Sequence, residues 1–173
     1  MRAITLWRPW DQAILHGGKF VENRPWALWP KMIGQTILLH AGKNYDKEGA
    51  RFMLDRKLYN PPSPSDSPMG IVGAFVVDRV IGENPKVYGD DVAYNSQWFL
   101  GPIGWVISKV MAFDEVIECG GKQGLWTPTP NDETRALSLL TRGVWKDADQ
   151  AEGRRTSDPF YYDQHLVFVA TKR

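Results

Sequence analysis

The chain has 173 residues, 43% of them hydrophobic, with 21 Lys and Arg against 20 Asp and Glu. That length suits one domain with a real core and hardly two, and the near-neutral balance excludes a general attraction to polyanions, so any nucleic-acid site has to be a local cationic patch. A single cysteine, Cys119, excludes an internal disulfide and a cysteine-rich zinc site; with no apolar run of membrane-spanning length and no secretory leader at Met1, a cytoplasmic protein without a membrane partner is expected.

Eight tryptophans are the anomaly of the composition. Three of them fall within LWRPWDQAILHGGKFVENRPW, from Leu6 to Trp26, beside several charged side chains. Arg2 to Trp7 carries Ile4 and Leu6 in alternation and reads as a first strand. Pro9 suits the first position of a short helix through Ile14 and Leu15, closed by Gly17 and Gly18. From Phe20 to Trp26 a period of two puts Phe20, Glu22, Arg24 and Trp26 on one face and Val21 and Asn23 on the other, with Lys19 at the turn before them. Thr36 to His40 is a continuous apolar run of strand length, extended by LLHAGK to Lys43. This second block should meet the first in space, with His40 and Lys43 pointing toward an anion.

Asp46 to Leu58 has helical spacing that turns Ala50, Phe52, Met53 and Leu54 inward, and residues 60–68, NPPSPSDSP, form a loop. Gly70 to Ile81 reads as a long central strand, followed by two more at Gly104 to Val110 and Ala112 to Glu118. Thr129 caps a helix to Leu140, with Pro130 at its first position, Asp132 completing the cap and Gly143 as the stop. The polar stretch from Trp145 to Asp158 reads as a loop, and Leu166 to Thr171 as a closing strand. The sum is a mostly antiparallel sheet with helices at its ends.

LWRPW, the GGKxVENRxW run, HAGK, GIVGAFVVDRV, GPIGWVI and GLW, taken in order over residues 4–126, resemble the ASCH (activating signal cointegrator homology) domain family. The resemblance implies an α+β fold of PUA-like type, a small mixed or antiparallel β-barrel flanked by helices. It makes residues 1–173 a single domain, with a family-like core at 4–126 and an added C-terminal helix and closing strand at 127–173. The PUA, EVE and YTH relatives bind RNA or DNA and often hold one base in a cleft.

Within that frame Trp7 and Trp10 bracket Arg8 and offer either a stacking wall for bases or ordinary core packing. Trp26, Trp29 and Trp126 read as structural. Trp105 does too, although the glycines of GPIGWVI permit close approach by a ligand, and Trp98 is placed for a lid-like contact. Lys19, Arg24, His40 and Lys43 set several cationic or hydrogen-bonding groups against one carboxylate, Glu22. Arg24 and Lys43 suit phosphate oxygens, while Glu22 and Arg24, two apart on one strand face, equally suit an ion pair that fixes the strand. His16, His40 and His165 have no metal-ligand spacing, there is no glycine-rich phosphate loop and no serine elbow, and neither metal nor cofactor is expected.

Three functions compete. The first is a module that binds RNA or DNA and holds a modified or flipped base between the tryptophans, with cations on the phosphates. The second is a hydrolase. One branch of the family resembles an amidohydrolase of N4-acetylcytidine with a lysine followed three residues later by a threonine nucleophile; Lys19 matches the lysine, but Glu22 stands at the threonine position. Glu22 could serve instead as general base toward water, with Lys19 stabilising charge, for a modified nucleoside or, as a ribonuclease, for a phosphodiester. The third is a protein-interaction module that docks through exposed aromatics.

Overall fold

The computed structural model of the chain describes residues 1–150. Strand β1 (Arg2–Arg8) leads to helix α1 (Trp10–His16), β2 (Val21–Arg24), a 3-10 turn at Pro30–Met32, β3 (Thr36–Tyr45), α2 (Lys47–Asp55) and β4 (Gly70–Gly82). A short α3 (Pro85–Tyr88), β5 (Ile103–Ile117), β6 (Leu125–Trp126), α4 (Pro130–Arg142), β7 (Lys146–Asp147) and a second 3-10 turn, Ala148–Gln150, complete the described residues.

The strands form one mixed sheet in the order β2-β5-β4-β3-β1-β6, with β7 added beside β5. It curls into a half-barrel flanked by the helices, which is the expected α+β class. Most pairs are antiparallel, but β1 and β3 run parallel, with Thr5 opposite His40 and Leu6 opposite Ala41. This is how the two motif blocks meet. Alternation along β3 sends Ile37 and Leu39 into the larger apolar cluster, with Ile4, Ile14 and Phe75, and Leu38 into a smaller one with Ala136 and Leu139 of α4. Thr129 caps α4 as expected, its hydroxyl accepting from the Asp132 amide at 3.2 Å and donating to the Asp132 carboxylate at 2.6 Å.

Several expectations are corrected. The two strands read at Gly104 to Val110 and Ala112 to Glu118 are one continuous β5, because register shifts against β4 near Ile71 and Val77 absorb the curvature that a break would have provided. On α2, Ala50 and Met53 are buried but Leu54 is half exposed and faces outward. The proline loop is tied down by Arg8, which donates to the Pro64 and Ser67 carbonyls, and by the Tyr45 hydroxyl, which donates to the Pro62 carbonyl. The polar stretch after Trp145 begins as strand rather than loop: Lys146 and Asp147 pair with Val110 and Lys109. The closing strand at Leu166 to Thr171 and His165 lie outside the described residues. Among those residues no helix is long and apolar enough to cross a membrane.

Candidate functional site

The chain leaves α1 through Gly17, whose amide bonds the Ala13 carbonyl, and Gly18, at a φ of 65° that suits glycine. That reversal carries the Lys19 side chain inward, where it is 2% exposed. Its ammonium donates to the Val21 carbonyl and to Glu22 Oε2, each at 2.6 Å, and lies 5.5 Å from the Trp10 ring centroid. The other Glu22 oxygen, Oε1, has the Arg24 guanidinium 3.6 Å away, beyond hydrogen-bond reach.

Arg24 forms the ion pair with Glu22 that the strand spacing suggested, and aromatics position it as well. Its guanidinium carbon lies 5.4 Å from the Trp26 ring and 5.9 Å from the Trp105 ring. Those two indoles meet edge to face at 4.8 Å, and Trp105 donates to the Trp26 carbonyl at 3.2 Å. Such cation–π contacts hold the charge in place at about 0.5–2 kcal/mol each without using its N–H groups as hydrogen-bond donors. The Arg24 side chain makes no hydrogen bond among the described residues, and its Nε is buried without a partner.

Lys19, Glu22 and Arg24 all line one cavity of about 630 Å³. Trp7 and Trp10 form one wall. Between Leu6 and Arg8 the pairing with β3 slips, β3 advancing from Ala41 to Tyr45 across the gap, and this bulge turns Trp7 outward to 58% exposure. Trp10 is held from behind by its N–H bond to Asp46 Oδ2 at 2.9 Å. The loop Gly121 to Gly124 and Leu100 complete the lining.

The structure separates the remaining candidates from this cavity. Arg8 is buried, and its guanidinium donates to four backbone carbonyls, those of Gly42, Lys43, Pro64 and Ser67, so it braces the HAGK strand and the proline loop instead of facing a ligand. His40 is 3% exposed and does not line the cavity. Its Nε2 donates to the Cys119 carbonyl at 3.1 Å and its Nδ1 has no partner. Burial lowers its pKa below the ordinary value, so it stays neutral. Lys43 is exposed on β3, away from the cavity lining. Trp98 is no lid: it is 5% exposed, packed in the core. Trp105 is fully buried and acts as a floor under Arg24.

Other residues now enter. Asn23, on the opposite face of β2 from Glu22, donates to the Trp98 carbonyl and accepts from the Leu100 amide, each at 2.8 Å, which pins the Leu100 rim to the strand. Lys122 and Gln123, both exposed, bring a further cation and an amide to the rim. Gly121 packs so closely on His40 and Thr5 that a Cβ there would lie 2.5 Å from Thr5 Oγ1. The glycines of the GGKQG run, residues 120–124, were the available sequence signal for that rim. Asp11 of α1 is wholly buried behind the wall, one carboxylate oxygen unpaired, and burial pushes its pKa from 3.8 up to about 6. Among the described residues no three His, Cys, Asp or Glu side chains gather as a metal-binding group.

No family model matches the chain, and neither does any curated protein. Solved structures similar to it include ASCH from Zymomonas mobilis, with a TM-score of 0.48 and 13% identity over 83% of this chain and 95% of that one. They also include two single-substitution variants of the same protein, one with a TM-score of 0.46 and 12% identity over 83% and 98% of the two chains. The other has a TM-score of 0.47 and 13% identity over 80% and 94%. By structure, then, the chain is similar to ASCH from Zymomonas mobilis.

Proposed function

We propose that the chain is an ASCH-like nucleic-acid-binding module that takes one unstacked base of RNA or DNA, modified or not, into the cleft lined by Trp7, Lys19 and Arg24. The observation that carries this reading is Arg24: a guanidinium resting against two indoles, free of hydrogen bonds among the described residues, lining a cavity of about 630 Å³. A preset fork of donors next to apolar walls fits a phosphate attached to a planar ring, and pockets of about 300–1,000 Å³ are the usual size for small-ligand sites. Lys19, Glu22 and Arg24 sum to one positive charge, and Lys122 adds another, so the cleft is cationic although the chain is not. Trp7, more than half exposed, offers a face on which a base gains about 1–3 kcal/mol by stacking.

The test is a fluorescence titration with single-stranded RNA and DNA over a salt series. Affinity is expected to fall linearly on a log–log plot, and Arg24→Ala to weaken binding and flatten the slope. Salt-independent binding, or an Arg24→Ala variant indistinguishable from the parent, refutes the reading.

A second reading, hydrolysis of a modified nucleoside or of a phosphodiester, is favoured by one observation: Glu22 Oε1 accepts no hydrogen bond among the described residues, while Oε2 is fixed by Lys19. In the amide case Oε1 would take a proton from water as the water oxygen attacks the acyl carbon, and return it to the departing amine as the C–N bond breaks. Mass spectrometry of an acylated-nucleoside panel tests this: turnover abolished in a folded Glu22→Gln variant supports it, and no product from the parent protein rejects it.

A further inference from the structure

Outside the cleft one exposed aromatic has an unusual setting. Trp29 is 44% exposed at the start of the Pro30–Met32 turn, although that turn is already anchored by Leu28 at 3% and Met32 at 8% exposure. Two cations flank its indole: the Arg2 guanidinium carbon at 5.9 Å and the Lys31 ammonium at 5.3 Å from the ring centroid. Arg2 donates to the Thr127 hydroxyl at 2.8 Å, and neither cation has a carboxylate partner among the described residues. Of the other surface cations, Arg79, Lys109, Arg135 and Arg142 each face an aspartate or glutamate within 3.2 Å, whereas Arg56 also lies over an aromatic ring, that of Phe52, but as a single cation. An uncovered indole with two uncompensated positive charges is the pairing of stacking platform and phosphate contact by which single strands are held.

Its position relative to the cleft matters as much. The Trp26 ring lies against Arg24, and Trp29 follows three residues later, so their Cα atoms are at most about 11 Å apart. A strand of a few nucleotides spans that interval.

We infer that Trp29, with Arg2 and Lys31, is a second stacking point, for a neighbouring nucleotide of a single-stranded nucleic acid whose accepted base occupies the cleft; this rests on the proposed function and extends it. The base stacks on the indole, displacing one cation from the ring onto an adjacent phosphate. A duplex does not fit, because its bases already cover each other's faces. Arg2 and Lys31 recognise the phosphate common to RNA and DNA, so both strands are used as probes.

Affinities of nucleoside monophosphates and of single-stranded RNA and DNA octanucleotides are measured for the parent protein and for Trp29→Ala, Trp29→Phe, Lys31→Ala and Arg24→Ala, with circular dichroism to verify folding. Loss of one stacked base corresponds to about a five- to 150-fold drop. Trp29→Ala should show that drop for octanucleotides and none for monophosphates, Trp29→Phe should recover most of it, and Lys31→Ala should lower the salt slope by about one phosphate contact. Octanucleotide affinity unchanged in both Trp29→Ala and Lys31→Ala overturns the inference, and if monophosphates still bind in an Arg24-dependent way, the cleft reading stands without it. Octanucleotide binding that depends on Trp29 but not on Arg24, with monophosphates ignored, has the reverse meaning: the second point holds and the cleft reading fails.

Discussion

The Lys19 ammonium and the Glu22 carboxylate meet at 2.6 Å with side chains only 2% and 8% exposed, three residues apart at the bottom of the cleft. A buried pair of this kind is weak evidence of net stabilisation, because desolvating both charges offsets their attraction, but removing one member leaves the other charged and poorly solvated. Lys19→Met should therefore lower stability by about 3–5 kcal/mol in urea denaturation. Glu22→Gln keeps an acceptor for the ammonium and should lose less. Equal losses would mean that charge, not the hydrogen bond that Gln retains, holds the pair together.

Asp11 supplies a pH dependence of opposite sense to an ordinary surface carboxylate. Burial raises its pKa from 3.8 to about 6, against the opposing effects of the Gln12 amide and the Arg8 charge. The folded state thus holds the proton more tightly than the unfolded chain. Its contribution to stability is whole below pH 3.8 and is lost as pH rises through about 6. The interval corresponds to about 3 kcal/mol. Asp11→Asn should accordingly raise Tm at pH 7.5, and the advantage should shrink on acidification and vanish below pH 4. A Tm difference that stays constant across that range would show that the Asp11 carboxyl does not titrate there.

Much of this arrangement was legible in the residues because local rules and tertiary packing agree along the first half of the chain. Strict alternation in β2 placed Glu22 and Arg24 on one face, and both line the cavity; the glycine pair after α1 marked the reversal that buries Lys19. Charge type misled where the partner was backbone. Arg8 carries the same guanidinium as Arg24, and only the fold shows that its donors meet four carbonyls. Trp98 follows the polar Asn95 and Ser96 and reads as exposed, yet Asn23 draws its carbonyl onto β2 and its ring lies in the core. Short elements such as β6, two residues long, carry too little periodicity to be read at all.

Arg8 leads to a prediction about the scaffold. Lysine has the charge but not the planar fork, and a single ammonium cannot reach the Gly42, Lys43, Pro64 and Ser67 carbonyls together. Each charge-assisted bond that is lost costs about 1.5–3 kcal/mol. Arg8→Lys should therefore be destabilising by at least that amount, and hydrogen exchange should accelerate first in the proline loop, which Arg8 ties to β3. Unchanged protection there would mean that the Tyr45 bond to Pro62 alone is sufficient.

Gly121 tests whether the GGKQG loop is part of the site or merely borders it. A Cβ at this position would lie 2.5 Å from Thr5 Oγ1 and 2.6 Å from His40 Cε1. Neither neighbour can retreat: Thr5 and His40 are register partners across the β1–β3 pair, and Thr5 accepts from the Trp126 indole at 3.1 Å. The loop must move instead, carrying Lys122 and Gln123 away from the cleft. Gly121→Ala should cost about 1–3 kcal/mol of stability by overpacking. Its octanucleotide affinity should fall further than that of Lys122→Ala, which removes one cation and leaves the loop in place. If Gly121→Ala shows the stability loss but binds like the parent, the rim formed by Lys122 and Gln123 contributes nothing to recognition, and the ligand is held by β1 and β2 alone.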